Sequence, residues 1–345
     1  MTTITPHFKA FRRSVPIALS VLGFLALSTG SAGAASKAAA KVSTVVPAGT
    51  VLRVGDQLSA LQTLLKADNK DSFPFTVDWA SFLGGPPMLQ AFQANAIDIG
   101  LVGTTPTIFA QAAHQNIVAI AAYGTVHSAD DLVTAPGEKI TSWKQLKGKP
   151  VAYQQGTVGE AVVLAGLHSV GLKLSDIQTV NLPATEESPA LENHSAVAAV
   201  MSQPLVDGYL NQNPTATIVQ NAPGDSARLT YIIASKSALA DPAKSAAIAA
   251  LLSNLVKSYV WINAHQASYV QLQYVKQYGL TTAEGTKLIK DFGKTTFVPI
   301  GKSLYAAQQT QANLFTAAGE IPTHVNTNAE FDARFNAIIA AAQKS

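Results

Sequence analysis

Two consecutive prolines ahead of an apolar run, and a glycine–threonine turn behind it, constrain this chain more than any other stretch. In residues 81–111, SFLGGPPMLQAFQANAIDIGLVGTTPTIFAQ, Pro86 and Pro87 open a helix, because proline fits a first turn where no N–H is needed. Met88, Leu89 and Phe92 mark its buried face, and Asn95 and Ala96 close it. Residues 97–102 form a short apolar run with one acid, Asp98, which suits a strand buried on both faces. Gly103, Thr104 and Thr105 then turn the chain. Thr105 is the expected cap of the next helix, with Pro106 at its first position. A strand that runs into a helix N-terminus lined with hydroxyls offers free N–H groups to an anion or a carbonyl oxygen.

The remaining sequence repeats this alternation. Strands are expected at residues 51–55, 75–79, 117–123, 151–154, 196–201, 217–219 and 229–235. Helices are expected at residues 60–68, 160–170, 204–211 and 242–264, with a short one at 185–193 broken near Pro189. Such an order predicts α/β lobes, each a mostly parallel sheet flanked by helices. At 345 residues, 48% apolar and 13% charged, the chain is long enough for two such units and too apolar to be disordered.

The first 34 residues read as a cleaved export signal: basic Lys9, Arg12 and Arg13, an apolar run over 15–27, and the small-residue site Ala32-Gly33-Ala34. Removing the three basic residues leaves 21 basic against 21 acidic ones, so the electrostatic case for nucleic-acid binding disappears. With no cysteine, a lipid anchor, disulfides, thiolate catalysis and Cys-ligated metals are all excluded. The histidines lack metal-binding spacing, and no P-loop, G-x-S-x-G or complete dinucleotide fingerprint occurs. No cofactor, metal or catalytic residue is expected.

The segment GGPPMLQAFQANAIDIGLVGTTPTIFAQAA resembles the periplasmic substrate-binding proteins that serve aliphatic sulfonate, taurine and nitrate ABC transporters. A second segment, KQLKGKPVAYQQGTVGEA, is similar to that family's helix, L-x-G-K, strand and glycine-containing turn. The resemblance implies a two-lobed Venus-flytrap fold with two hinge crossings. Lobe 1 would hold residues 50–135 and 225–345, lobe 2 residues 136–224, and residues 35–49 would form a flexible tether. It further implies a soluble monomer, not an enzyme, that carries a small anion to a membrane permease and its ATPase subunits. An aliphatic sulfonate or taurine-like compound is the first expectation. Nitrate, an aromatic acid or a thiamin-pyrimidine precursor is the alternative, or an enzyme built on the same fold.

Two facing turns, Gly103-Thr104-Thr105 and Gln155-Gly156-Thr157, are the implied ligand contacts. On the residues alone the threonines serve equally well as caps. Gln57 and Leu58 follow the first strand, at a position that lines the cleft in the family. His127 lies on the outgoing crossing. Arg228 precedes the return crossing, where its guanidinium suits two-point contact with an anion, although a solvated loop arginine has the same signature. Tyr231 reads as a cleft wall or a core residue. Where sulfonate and taurine binders carry an aromatic and usually an acid before a proline, this chain has Ser202 and Gln203 before Pro204. The departure removes an aromatic wall and a charge, and Gln203 remains as the expected contact.

Overall fold

A computed structural model describes residues 42–43, 45–125, 130–203, 205–220, 229–322 and 324–344. The chain begins β1 (Val51–Gln57), α1 (Ala60–Ala67), β2 (Thr76–Phe82), α2 (Gly85–Gln93), β3 (Ile99–Gly103), α3 (Thr104–Ala112) and β4 (Ile117–Gly124). It continues with β5 (Asp130–Thr134), a 3₁₀ turn (Trp143–Leu146), β6 (Pro150–Tyr153), α4 (Val158–Ser169), β7 (Gln178–Asn181), α5 (Ala184–Glu192), β8 (Ala198–Ser202), α6 (Leu205–Gln212) and β9 (Ile218–Val219). The return brings β10 (Leu229–Ser235), α7 (Lys236–Ala240), α8 (Pro242–Ile262), α9 (Gln266–Tyr269) and a π-helical stretch (Val270–Gln277). Last come α10 (Thr282–Phe292), β11 (Thr296–Val298), α11 (Lys302–Ala318), two 3₁₀ turns (Thr327–Glu330 and Ala333–Phe335) and α12 (Asn336–Ala342).

Two sheets result, of six strands in the order β11-β4-β10-β3-β1-β2 and of five in the order β7-β6-β8-β5-β9. Both are mixed rather than mostly parallel. β10 runs antiparallel between β3 and β4, and β5 runs antiparallel to both β8 and β9. The double crossing accounts for β5 and β10, each the first strand after the chain changes sheet and each set against the βα units it joins; the edge strand β11 is antiparallel to β4 as well. The expected crossing at residues 124–135 is correspondingly shorter, because Asp130–Thr134 is already a strand of the second sheet.

β10 shows how position decides burial. Ile232 and Ala234 join the core on one face of the first sheet with Leu52, Val54 and Leu251, whereas Tyr231 and Ile233 join Met88, Phe92 and Val102 on the other. An antiparallel strand with one wet face would alternate; a central strand with helices on both sides does not. The expected break at Pro189 is absent, and α5 runs through it. α8 is apolar and long enough to cross a membrane, but most of it is buried, with Ile248, Leu251, Leu252 and Leu255 in the core of the first lobe.

Candidate functional site

β3 and β6 each end in a turn that starts a helix, and the structure brings these two helix starts together. The cap of α3 is Gly103, not Thr105, and Pro106 is the third helical residue rather than the first. Gly103 can cap because its extended backbone leaves the first N–H groups free, and no side chain closes them. A methyl group on Gly103 would stand 2.3 Å from Cγ2 of Val158, the first residue of α4. Beside this contact, Cβ positions built on Gly156 and Gly84 would meet Pro86 at 3.7 Å and Gln154 at 3.9 Å. The lobes are therefore closed on one another at the two expected turns.

The hydroxyls in these turns have different fates. Thr104 is buried and its Oγ1 has no partner. Thr105 Oγ1 instead accepts a hydrogen bond from Gln311 Nε2 at 3.1 Å, which ties it to α11. Thr157 is the cap of α4: its Oγ1 accepts from Gly159 N at 3.2 Å and donates to Gln154 O at 2.6 Å. Gly156, at φ +75°, takes a conformation that a side chain disfavours, and its N–H donates to Glu160 Oε2 at 2.8 Å. Gln155 crosses to the other lobe, donating Nε2 to Glu320 at 3.0 Å, while its own N–H binds Asn181 Oδ1.

The remaining expected contacts divide. Gln57 donates Nε2 to Leu101 O at 2.9 Å, and Leu58, exposed at φ +51°, presents its carbonyl to Gln277. Gln203 reaches Asp207 at 3.5 Å and keeps a buried Oε1 without a partner. Tyr231 is not a cleft wall. It lies in the core with its hydroxyl donated to Gln308 Oε1 at 2.9 Å and its ring edge-on to Phe331. His127 and Arg228 lie outside the described residues.

Acids at the second lobe's side of the site are what sequence reasoning missed. Glu160 is fully buried and one of its oxygens has no partner. Burial, with the Glu320 carboxyl facing it, pushes its pKa up to about 7 against the pull of the Gly156 amide. Tyr153, beneath it, is raised by burial and by the same two acids. Glu187, on the first turn of α5, is pushed up to about 8 by burial and by Asp130. For Glu160 a signal existed: Thr157-x-x-Glu160 is a capping-box pattern. Glu187 carried no such mark.

Away from the turns, the lobes meet on two flanks of opposite character. On one, Ile108 of α3, Ala161 and Leu164 of α4, and Ala312 and Phe315 of α11 share one apolar cluster with Ile321 and Val325. On the other, Lys287 of α10 pairs with Asp207 of α6 at 3.5 Å, and Asn211 of α6 donates to Glu284 of α10.

The family model described as NMT1/THI5 like matches residues 86–268. A protein of Escherichia coli (strain K12) described as a putative aliphatic sulfonates-binding protein is 25% identical over 314 residues, which span 90% of this chain and 94% of that one. A relative of the same description from Bacillus subtilis (strain 168) is 31% identical over 160 residues, 44% of this chain and 48% of its own. Among solved structures, the periplasmic aliphatic sulphonate binding protein of Escherichia coli superposes with a TM-score of 0.72 at 25% identity, covering 82% of this chain and 92% of that one. The alkanesulfonate-binding protein of Xanthomonas axonopodis pv. citri, bound to MOPS, gives the same TM-score at 21% identity, covering 83% and 99%.

Proposed function

Since the chain belongs to the NMT1/THI5-like family, we propose that it is the soluble, periplasmic ligand-binding component of an ABC importer and takes a small sulfonate between its lobes. The observation that carries this is the convergence of two helix starts from opposite lobes, with Gly103 against Val158. Two N-termini aimed at one place supply N–H donors and partial positive charge from both walls. Only a ligand that touches both walls favours closure, because only differential binding shifts the equilibrium. Thr104 Oγ1, buried without a partner, is the hydroxyl in reserve for a sulfonate oxygen.

In this reading an N-terminal signal delivers the protein, and the closed form hands its cargo to a permease driven by ATPase subunits. The chain itself performs no chemistry. The buried acids Glu160 and Glu187 favour a sulfonate whose tail carries an amino group or other hydrogen-bond donor over a bare inorganic anion such as nitrate.

Thermal unfolding against a panel of alkanesulfonates, taurine, sulfate, nitrate, aromatic carboxylates and neutral thiamin-pyrimidine precursors tests the proposal. A cognate ligand at a hundredfold excess over its Kd adds about 2.7 kcal/mol of stability and raises the midpoint. The shift is expected with one or more sulfonates and is expected to shrink in Thr104→Ala. A shift with neutral compounds alone would sink the anion reading and leave the fold untouched.

A further inference from the structure

Where α4 of the second lobe packs on α11 of the first, two carboxyls stand against each other. Glu160, in the first turn of α4, is fully buried. Its Oε2 accepts from the Gly156 N–H at 2.8 Å, while its Oε1 is sealed from solvent and has no partner. Glu320 reaches it from the other lobe. Gly319 ends α11 at φ +80°, and the Glu320 N–H turns back to the Phe315 carbonyl at 3.0 Å. The residue is thereby fixed to the end of the seam that Phe315 forms with Ala161 and Leu164. Its Oε2 accepts from Gln155 Nε2 of the second lobe at 3.0 Å, and its carboxyl lies within hydrogen-bond reach of Glu160.

Two carboxylates are acceptors only, so this contact is a hydrogen bond when one proton sits between them and a repulsion when none does. Tyr153 of β6 is the other titratable group that faces the pair. α3 and β8, which also pack on α4, carry no titratable side chain, and Asp130 of β5 bears on Glu187 instead. Among the described residues, no cation acts on Glu160. We propose that Glu160 and Glu320 share one proton across the lobes and latch the closed state, and that loss of this proton to water releases the lobes.

Resting on the two-lobed binding reading above, this latch adds control of closure by pH. Opening lets water reach Glu160 and takes Glu320 away, so the carboxyl returns toward its ordinary value, near 4.3. In the closed form burial and Glu320 hold it at about 7. Closure therefore takes up a proton at any pH between these values. The latch is fully engaged below about pH 4, weakens by up to about tenfold per unit above that, and is gone once pH has risen through about 7. Cargo that needs closure is held most tightly on the acid side.

The chain has no cysteine, so Ala317→Cys on α11 and His168→Cys on α4, both exposed, take a pair of spin labels at defined places. Their separation is read by pulsed dipolar spectroscopy in the ligand-free protein at pH 5, 6, 7 and 8, with circular dichroism following the fold. The open-to-closed ratio is expected to rise at least about tenfold from pH 5 to 7 and to change little from 7 to 8. Glu160→Gln, whose amide donates to Glu320 as the shared proton does, is expected to stay closed throughout. Glu320→Gln keeps an oxygen for Gln155 and offers Glu160 a donor, and the rise is expected to shrink several-fold. An unchanged rise in Glu320→Gln overturns the latch, because burial of Glu160 alone would then carry it. A rise that persists in Glu160→Gln does the same, as does one constant separation in the parent from pH 5 to 8. No cargo enters the measurement, so a panel of sulfonates that all fail to bind leaves this test standing.

Discussion

Asp98, the one acid in the focal run, stands in front of β3 and holds two cations. Arg53 reaches it at 2.6 Å and Lys244 of α8 at 2.8 Å, and the Arg53 N–H adds a third bond. Burial alone would raise its pKa, but the bonds from Arg53 and Lys244 hold it below the usual carboxylate range. Asp98→Asn removes the buried carboxylate from two cations that are themselves about a third exposed, so water takes over part of its role. The expected cost is about 1–3 kcal/mol in urea unfolding. Because the folded pKa is depressed, this stabilisation is fully present above about pH 4, the unfolded value, and is lost as pH falls through the folded one. The variant should therefore show a shallower acid limb than the parent. Nothing in the apolar run announced this role; the partners lie 45 and 146 residues away in the chain.

At the scale of elements, the two helix starts and the apolar seam invite separate tests. Gly103→Ala puts a methyl group 2.3 Å from Val158 Cγ2, so the Val158 side chain must turn or α3 and α4 must move apart. We expect ligand affinity to fall at least tenfold with little change in the unfolding midpoint of the free protein, and Val158→Ala in the same chain to restore most of it. Phe315→Ala empties the centre of the seam between α4 and α11, and about 3–5 kcal/mol of stability should go with it. Lys287→Ala on the opposite flank removes an ion pair whose lysine is 63% exposed, and should cost under about 1 kcal/mol. Chemical denaturation of the two variants side by side checks the contrast.

The elements themselves were readable to different depths. Helix, strand and helix around Pro86, Pro87 and Gly103 follow from local chemistry and appear as expected. The choice of cap did not follow, because glycine and threonine both serve there and only the approach of Val158 requires the smaller. Tyr231 was ambiguous for a related reason. A β-strand of five apolar residues looks the same at an edge and in the centre, and the neighbours that decide it, β3 and β4, are more than a hundred residues earlier. The facing turns were legible because the resemblance supplied the partner of each. The acids beside them were not, since burial is a property of the assembled lobes.

For the whole molecule, pH acts through several buried acids at once. Glu160 is pushed up to about 7, Glu187 and Glu330 each to about 8. In each the folded state keeps its proton where the unfolded chain, titrating near 4.3, has released it. Stability is therefore greatest at the acid side of that window and falls as pH rises from about 5 to 8. Thermal midpoints measured at pH 5.5 and 8.5 should differ in that sense, with the lower pH the more stable. Glu160→Gln should narrow the gap. Unchanged midpoints across the range would show that these carboxyls ionise freely in the folded protein.

β10 sits between β3 and β4 in the first sheet although it follows them in the chain by the whole second lobe. The first lobe thus lacks its central strand until residue 229 has been made. Early during synthesis β3 and β4 have nothing to join them, and α8, which covers that sheet, comes later still. The second lobe, contiguous from β5 to β9, can assemble while the first waits. A nascent chain built this way keeps its first lobe open behind a second lobe free to form, and it commits to its final shape only once its last third emerges.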